Sequence, residues 1–440
     1  MELADLGALE VRALLESGQC SSEELTRACL ARVEAREPQL QAWAFLDPAL
    51  ALAQAREADT RRRRGQALGP LHGLPVGVKD IFDTRDMPTE DGTVLHRGRT
   101  PGADATAVAR LREAGAVILG KTVTTELATY HPGPTRNPHN PGHTPGGSSS
   151  GSAAAVAAGM CPLALGTQTN GSVIRPAAYC GVYGYKPSFG LISRHRVLQQ
   201  SRPLDQVGVF ARSLADLALL AETLMGHDPL DPDTRLQARP RLQALLAEEP
   251  PVPPRLALVE GSSWEQTDDE VRGGFAELAE QLGERVERVA LPAGFGAVLE
   301  AHRTVMEADL ALSFEREYQH GREQLSPTLQ AMLERGRTVT AVAYHKALLL
   351  REEARTALQP LFQRVDALIT PAVAGAAPHG LDATGSPVFC TPWTFIGAPA
   401  LSLPLLQSES GLPIGVQLVA GSSDDARLLR TARWLVQQCS

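Results

Sequence analysis

Apolar and polar positions along the first 120 residues predict helices, followed by alternating strands and helices. Residues 1–60 place leucines at mostly helical spacing, and Ser21 with Glu24 forms a capping box ahead of the second helix. The apolar segment LHGLPVGVKDIF predicts a buried strand that ends at Lys79. The segment DATAVARLREAGAVILGKT predicts a helix and then a strand over 116–119. Such alternation is typical of α/β proteins.

The remainder of the chain continues this alternation. AAAVAAGM predicts a helix, CPLALGT, RLALVEG and DALITPAV predict strands, and 211–225 and 341–365 carry helical patterns. Seven prolines mark 228–254 as a connection. The tail predicts two strands joined by a turn, followed by a helix over 424–437. Because strands occur at both ends of the chain and no internal repeat is visible, we expect one large sheet rather than two independent domains.

Residues 131–147, HPGPTRNPHNPGHTPGG, contain too much proline and glycine for regular structure. They lead into a run rich in glycine and serine, GGSSSGS, and then into the alanine-rich helix. A loop this long inside a compact domain is usually functional. A flexible linker is the weaker interpretation, because predicted strands continue within a few residues on both sides. The run also lacks the lysine of a P-loop and the GxGxxG spacing of a dinucleotide site.

Two further interpretations of this region are a nucleophile elbow and a metal site. Residues 147–151 match the GxSxG pattern of α/β-hydrolases, with Ser149 as the nucleophile. An elbow must follow a strand, however, and HNPGHTPG does not predict one. The loop histidines His131, His139 and His143 lack the HExxH spacing of a zinc site and lie among prolines, which favours exposed loop residues and no metal.

Composition and charge exclude several classes of function. The net charge of −8 disfavours binding to nucleic acid or to an anionic membrane, and the basic run Arg61–Arg64 offsets the dipole at the end of a predicted helix. The six cysteines have no CxxC spacing, which argues against a disulfide framework or a zinc site and fits a reducing compartment. No apolar run has the length of a transmembrane helix. We therefore expect a cytoplasmic protein that binds neither nucleic acid nor membrane.

Three segments together supply the groups for amide hydrolysis without a histidine. Lys79 ends a buried strand, and a desolvated lysine loses pKa and becomes a base near neutral pH. Ser148 lies in the glycine- and serine-rich run and Ser172 lies in GTQTNGSVIRPAAY, and serine hydroxyls can relay a proton because each donates and accepts. The tight TNGS turn can aim successive backbone N–H groups at one point, as an oxyanion hole requires.

Five segments of the chain resemble the amidase signature family. They are PLHGLPVGVKDIFD, GAVILGKTVTTELA, the stretch from NPHNPGHTPGGSSSGS to GVYGYKPSFGLIS, LDQVGVFARSLADLALLAETL, and the C-terminal GAPALSLPL with GLPIGVQLVAG. The resemblance implies an α/β fold: a single large α/β/α domain with a mixed, mostly parallel central sheet covered by helices on both faces. It implies a helical segment, 1–60, packed on a domain of 61–440. That domain has a core motif at 65–215 and a poorly matched insert at about 226–365.

The resemblance also implies a Ser-cisSer-Lys triad. Carried over by position, Ser172 is the nucleophile, Ser148, after a cis peptide bond, is the bridging serine, and Lys79 is the base. The oxyanion hole would use the backbone N–H groups of Thr169, Asn170, Gly171 and Ser172, and the substrate would contact Gly147, Ser149 and Arg175. The family commonly has glycine or alanine where Asn170 stands and glycine where Ser150 stands, and neither change removes a catalytic group.

Arg175 has two interpretations that the sequence leaves open. In members similar to malonamidase, an arginine in GSVIRP can hold a substrate carboxylate, since its guanidinium matches a carboxylate bidentately. Alternatively, Arg175 pairs with an internal acid and holds the loop.

The resemblance predicts an amidohydrolase that cleaves the C–N bond of a small amide through an acyl-enzyme. A carbamate (urethane) hydrolase with the same triad is a close alternative, because both reactions pass through a tetrahedral oxyanion. The A chain of an amidotransferase, which needs partner subunits, is another. We expect no cofactor, a small-molecule amide or carbamate as the ligand, and a homodimer as one possible assembly.

Overall fold

The described part of the chain, residues 2–261 and 263–439 of a computed structural model, contains one eleven-stranded sheet. Its order across the sheet is β1-β3-β2-β4-β6-β5-β10-β11-β9-β7-β8 once the strands are numbered along the chain. The strands are β1 (Trp43–Leu46), β2 (Pro75–Lys79), β3 (Val117–Thr122), β4 (Leu163–Gln168), β5 (Tyr183–Lys186), β6 (Gln206–Ala211), β7 (Leu256–Val259), β8 (Val286–Val289), β9 (Ala367–Pro371), β10 (Ala400–Gln407) and β11 (Pro413–Val419).

Helices flank this sheet. They are α1 (Ala8–Ser17), α2 (Ser22–Leu40), α3 (Pro48–Arg63), α4 (Thr106–Glu113), α5 (Ser150–Ala157), α6 (Ile174–Cys180), α7 (Leu214–Leu224), α8 (Leu242–Ala247), α9 (Asp269–Leu282), α10 (Val298–Ser313), α11 (Glu315–Gly321), α12 (Pro327–Thr338), α13 (Ala341–Ala357), α14 (Gln359–Arg364), α15 (Thr391–Phe395) and α16 (Asp425–Cys439). The prediction of a single α/β domain with a large mixed sheet is confirmed.

The expectation of a mostly parallel sheet is wrong in its proportions. Strands β2, β3 and β4 are parallel to one another, as are β7, β8 and β9, but every other neighbouring pair is antiparallel. A parallel pair of consecutive strands needs a crossover, usually a helix. No helix separates β5 from β6 or β10 from β11 in the described chain, so these pairs form antiparallel hairpins at the centre of the sheet.

Most individual predictions are confirmed, and one helix is interrupted. The capping box of Ser21 and Glu24 begins α2, and 131–147 contains no helix or strand. The pattern over 341–365 forms α13 and α14 with a break at Leu358. Pro360 lies in the first turn of α14, and a proline cannot supply the amide that would continue the preceding helix.

Buried apolar residues form two clusters. One joins the sheet to the N-terminal helices and includes Val11, Leu25, Val76 and Leu165. The other packs the helices of 298–364 against the remaining strands. The N-terminal helices therefore share a core with the sheet, while the division of the chain at residue 60 stays a prediction. Within the described residues, no helix is both long and apolar enough to cross a membrane.

The sheet brings the candidate site together. Strands β2 and β4 are parallel neighbours, with Val78 paired with Leu165, so their carboxyl ends meet at one edge. Lys79 is the last residue of β2, and the TNGS turn follows the end of β4 at Gln168. The loop containing Ser148 reaches the same edge and leads into α5.

Candidate active site

The amine of Lys79 is the most deeply buried group of the candidate site. Its side chain is inaccessible to solvent, and Nζ lies 2.7 Å from Ser148 Oγ and 2.9 Å from Thr167 Oγ1. Burial lowers the pKa of Lys79 well below its usual range, and the negative charge of Asp205 opposes this shift only in part. The arrangement therefore favours a neutral amine in contact with two hydroxyl groups.

Ser148 is held in place by its backbone neighbours. The Gly147–Ser148 peptide bond is cis. Arg175 Nη2 donates to the Gly147 carbonyl at 2.8 Å, and Thr125 N donates to the Ser148 carbonyl at 3.3 Å. Ser148 is 1% exposed, so its hydroxyl is confined to the interior beside Lys79.

The TNGS turn keeps its backbone amides unused. Within the described residues, the amides of Thr169, Asn170, Gly171 and Ser172 have no hydrogen-bond acceptor. The neighbouring amides are occupied, because Gln168 Oε1 accepts from Val173 N at 2.8 Å and from Ile174 N at 3.0 Å. Four consecutive free N–H groups, in a turn whose flanks are fixed, are what an oxyanion hole requires.

Side chains from distant segments hold the same turn from outside. Gln168 Nε2 donates to Thr394 Oγ1 at 2.8 Å, and Thr394 Oγ1 lies 2.5 Å from the Asn170 carbonyl. His302 Nε2 lies 2.9 Å from the Thr169 carbonyl. These contacts fix the turn through its carbonyl groups and leave its amides free.

Ser172 adjoins the pair formed by Lys79 and Ser148. Its carbonyl accepts a 3.4 Å hydrogen bond from Ser149 N, which joins the TNGS turn to the loop of Ser148. Ser172 is 8% exposed, and its Oγ makes no hydrogen bond to any described residue. The structure thus places Lys79 and Ser148 in direct contact and Ser172 beside them with its hydroxyl uncommitted.

Arg175 is buried without an acidic partner. It is 1% exposed, and besides Gly147 its Nη2 contacts Thr384 Oγ1 at 3.1 Å. Its Nε and Nη1 have no partner among the described residues, and none of the ion pairs there includes it. Burial lowers the pKa of its guanidinium. The alternative of an internal acid that neutralises Arg175 therefore has no candidate in the described chain.

Ser149 is committed to the backbone of β4. Its Oγ donates to the Thr167 carbonyl at 3.2 Å and accepts from Thr167 N at 3.2 Å. The close approach depends on Gly166, since a Cβ there would lie 2.7 Å from Ser149 Oγ. Ser149 precedes α5 but does not follow a strand, so the nucleophile elbow lacks the strand it needs. A role for Ser149 in substrate binding stays a prediction.

Asp205 is a site residue that the sequence reasoning missed. It is buried, accepts hydrogen bonds from Gln200 N at 2.8 Å and Ser201 N at 3.0 Å, and lies 2.6 Å from Thr169 Oγ1. Burial raises its pKa to about 6, although these hydrogen bonds favour the ionised form. It lies at the start of the matched segment LDQVGVFARS, which was the only available signal.

Two cavities reach the TNGS turn from different sides. One, of about 290 Å³, contacts Thr167, Thr169 and Asp205 and opens beside Arg194. The other, which we call the Asn170 cavity, has a volume of about 620 Å³ and is lined by Tyr130, Asn170, Leu299, His302, Arg303, Met306, Glu307, Thr328, Ala331, Met332, Arg335, Ser386, Pro387, Val388 and Thr391. Much of its wall comes from the poorly matched insert.

The loop histidines do not assemble a metal site. In the described ranges, no three His, Cys, Asp or Glu side chains lie close enough to hold a metal ion. His139 Nε2 lies 2.9 Å from the Cys180 carbonyl, and His143 Nδ1 lies 2.7 Å from the Ala377 carbonyl. These histidines anchor the loop of 131–147 to the rest of the molecule.

Comparison with known proteins agrees with this geometry. The model of the family described as Amidase matches residues 24–429. AmiD of Mycobacterium tuberculosis, whose name carries the provisional designation of amidase, is 37% identical over 97% of this chain and 93% of its own length. The A chain of the glutamyl-tRNA(Gln) amidotransferase of Chloroflexus aggregans is 36% identical over 98% of this chain and 95% of its own length.

A solved structure gives the same result for the fold. The peptide amidase of Stenotrophomonas maltophilia superimposes with a TM-score of 0.85 at 31% identity, over 99% of this chain and 97% of its own. The resemblance seen in the sequence is confirmed: the chain belongs to the amidase signature family and is an amidohydrolase that acts on carbon–nitrogen bonds.

Proposed function

We propose that this protein hydrolyses a small amide through Ser172, Ser148 and Lys79. The observation that carries the proposal is the 2.7 Å contact between the buried Lys79 amine and Ser148 Oγ, beside the uncommitted hydroxyl of Ser172. A neutral amine can accept a proton, and a serine hydroxyl can pass one on because it both donates and accepts. Lys79 is thus the base, Ser148 the relay and Ser172 the nucleophile.

The reaction follows from these roles. Ser172 Oγ forms a bond to the amide carbon while its proton passes to Ser148 Oγ and the Ser148 proton passes to Lys79 Nζ. The tetrahedral oxyanion is stabilised by free amides of the turn from Thr169 to Ser172. The proton then returns along the same route to the leaving nitrogen, and the C–N bond breaks. A water molecule, deprotonated in the same way, hydrolyses the acyl-enzyme and restores Ser172.

The Asn170 cavity is our candidate for the substrate-binding cavity. It touches the turn at Asn170, and its volume of about 620 Å³ suits a small organic molecule. Its walls come largely from α10, α12 and the segment that precedes α15, which belong to the part of the chain with the weakest family pattern. The identity of the substrate is therefore encoded in residues that the family motifs do not include.

Two related activities use the same groups. A carbamate has the same tetrahedral oxyanion, so urethane hydrolysis needs no change in the triad. The match of 36% identity to an amidotransferase chain favours a second candidate, release of ammonia from glutamine for use by a partner protein. The isolated chain distinguishes them: a stand-alone amidase turns over small amides by itself, whereas an amidotransferase component needs its partners.

Replacing the proposed nucleophile tests the triad. Ser172→Ala is expected to lower kcat on any amide by about a thousandfold or more while the folded state is retained, because no other hydroxyl is free in this position. Ser150→Ala is the matched control in the neighbouring loop, since Ser150 Oγ makes only a 3.4 Å contact with the Val123 carbonyl. Steady-state kinetics and circular dichroism make the comparison. A Ser172→Ala variant that keeps a tenth of the wild-type kcat would contradict the assignment.

The pH dependence of stability tests whether Lys79 is neutral. The folded state holds Lys79 with a lowered pKa, whereas the unfolded chain protonates it below about pH 10.5, so wild-type stability falls as pH decreases through this window. Lys79→Met removes this penalty. The free energy of unfolding of Lys79→Met relative to wild type is therefore expected to rise by about 1.4 kcal/mol for each pH unit below 10.

The measurement is urea unfolding at several pH values, with the exposed Lys346 replaced by Met as the control. The Lys346→Met difference is expected to stay constant with pH. A Lys79→Met difference that is equally constant between pH 7 and 10 would mean that the folded protein keeps Lys79 protonated.

Arg175 predicts a preference for substrates that carry a carboxylate. If its unpartnered Nε and Nη1 bind the substrate, succinamate is expected to exceed the neutral butyramide by about ten- to hundredfold in kcat/KM, the worth of roughly 1.5–3 kcal/mol for a charge-assisted contact. Arg175→Ala is expected to erase the preference, and Arg175→Lys to retain part of it. Equal losses on both amides would show that Arg175 serves only to hold the Gly147 carbonyl.

A further inference from the structure

The side chain of Asn170 is fixed at both ends. Its Nδ2 donates to the hydroxyl oxygen of Tyr130 at 2.7 Å, and its Oδ1 accepts from Thr391 Oγ1 at 2.6 Å. Tyr130 lies in the loop that follows β3, and Thr391 begins α15, so the amide spans two segments far apart in sequence. Asn170 is 9% exposed, and an amide held this way cannot rotate aside without breaking a buried hydrogen bond.

The TNGS turn does not depend on this side chain. The Asn170 carbonyl is held by Thr394 Oγ1, and the preceding carbonyl, of Thr169, is held by His302 Nε2. The amide that Asn170 contributes to the turn belongs to the backbone and is present with any residue other than proline. The two hydrogen bonds of the side chain therefore serve a purpose other than the conformation of the turn.

All three partners of this arrangement line the Asn170 cavity. Tyr130, Asn170 and Thr391 form a connected polar wall, and Met306, Met332 and Val388 contribute apolar surface. Asn170 is the residue that belongs both to the turn and to this wall. Its fixed amide therefore stands between the amides of the turn and the apolar part of the cavity.

We propose that Asn170 is a specificity-determining residue that limits the size of the group next to the scissile carbonyl. The inference rests on the proposed hydrolase function and adds a size limit to it. Small acyl groups fit between the turn and the amide of Asn170, whereas bulky ones meet a wall that the hydroxyls of Tyr130 and Thr391 prevent from moving. Tyr130 and Thr391 are positioning residues, because they act through Asn170.

Asn170→Gly removes the wall and keeps the backbone amide. The test compares kcat/KM for cyclohexanecarboxamide with that for propionamide, since the two differ in the bulk beside the carbonyl. The ratio is expected to rise by about tenfold or more in Asn170→Gly, because each added methylene in an apolar pocket changes discrimination by about tenfold or more. The double variant Tyr130→Phe/Thr391→Val keeps the volume but frees the amide, and its ratio is expected to rise by a smaller factor.

A second readout needs no turnover. Calorimetric Kd values for the same two amides are measured in the Ser172→Ala background, with and without Asn170→Gly and with the double variant. A shift of the Kd ratio toward the larger amide supports the size limit even if the wild-type protein hydrolyses neither amide, a result that would count against the hydrolase proposal alone. Equal changes for both amides, in kcat/KM and in Kd, for Asn170→Gly and for the double variant would overturn the assignment of Asn170.

Discussion

The burial of the Lys79 amine without a carboxylate in contact is the constraint on which the candidate site depends. Lys121, on the adjacent strand β3, is equally buried but forms a 2.9 Å ion pair with Asp80. Lys79 instead contacts the hydroxyls of Ser148 and Thr167, and Asp205 affects it only through its charge. An ion pair would hold the amine charged and remove it as a base. The hydroxyl environment therefore makes Lys79 suited to accept a proton.

The sheet and the loops around it translate this constraint into a site. The parallel neighbours β2 and β4 end side by side, which brings Lys79 next to the TNGS turn. Gln168 occupies the amides after the turn, and Thr394 and His302 occupy its carbonyls, so the four amides from Thr169 to Ser172 are left free. The helices of the insert then enclose the Asn170 cavity, which separates the general chemistry from the choice of substrate.

Apolar runs and loop composition were enough to predict where the candidate site lies. Strands β2 and β4 are continuous apolar segments, and the chemical groups follow their ends, so Lys79 and the TNGS turn were placed correctly at one edge of the sheet. The partners of the turn were missed because Thr394 and His302 lie more than a hundred positions away. The proportion of parallel strands was also wrong, since hairpin pairing at the sheet centre is set by contacts between distant segments. The roles of the site residues remain predictions.

The central claim is that the buried Lys79 activates Ser172 through Ser148. A fluorophosphonate reacts with an activated serine, and tryptic peptide mass spectrometry identifies the residue that carries the phosphonyl group. We expect the adduct on the peptide that contains Ser172, with labelling strongly slowed in Lys79→Met and in Ser148→Ala. Labelling of Ser149, or labelling of Ser172 at the same rate in the Lys79→Met variant, would contradict the account.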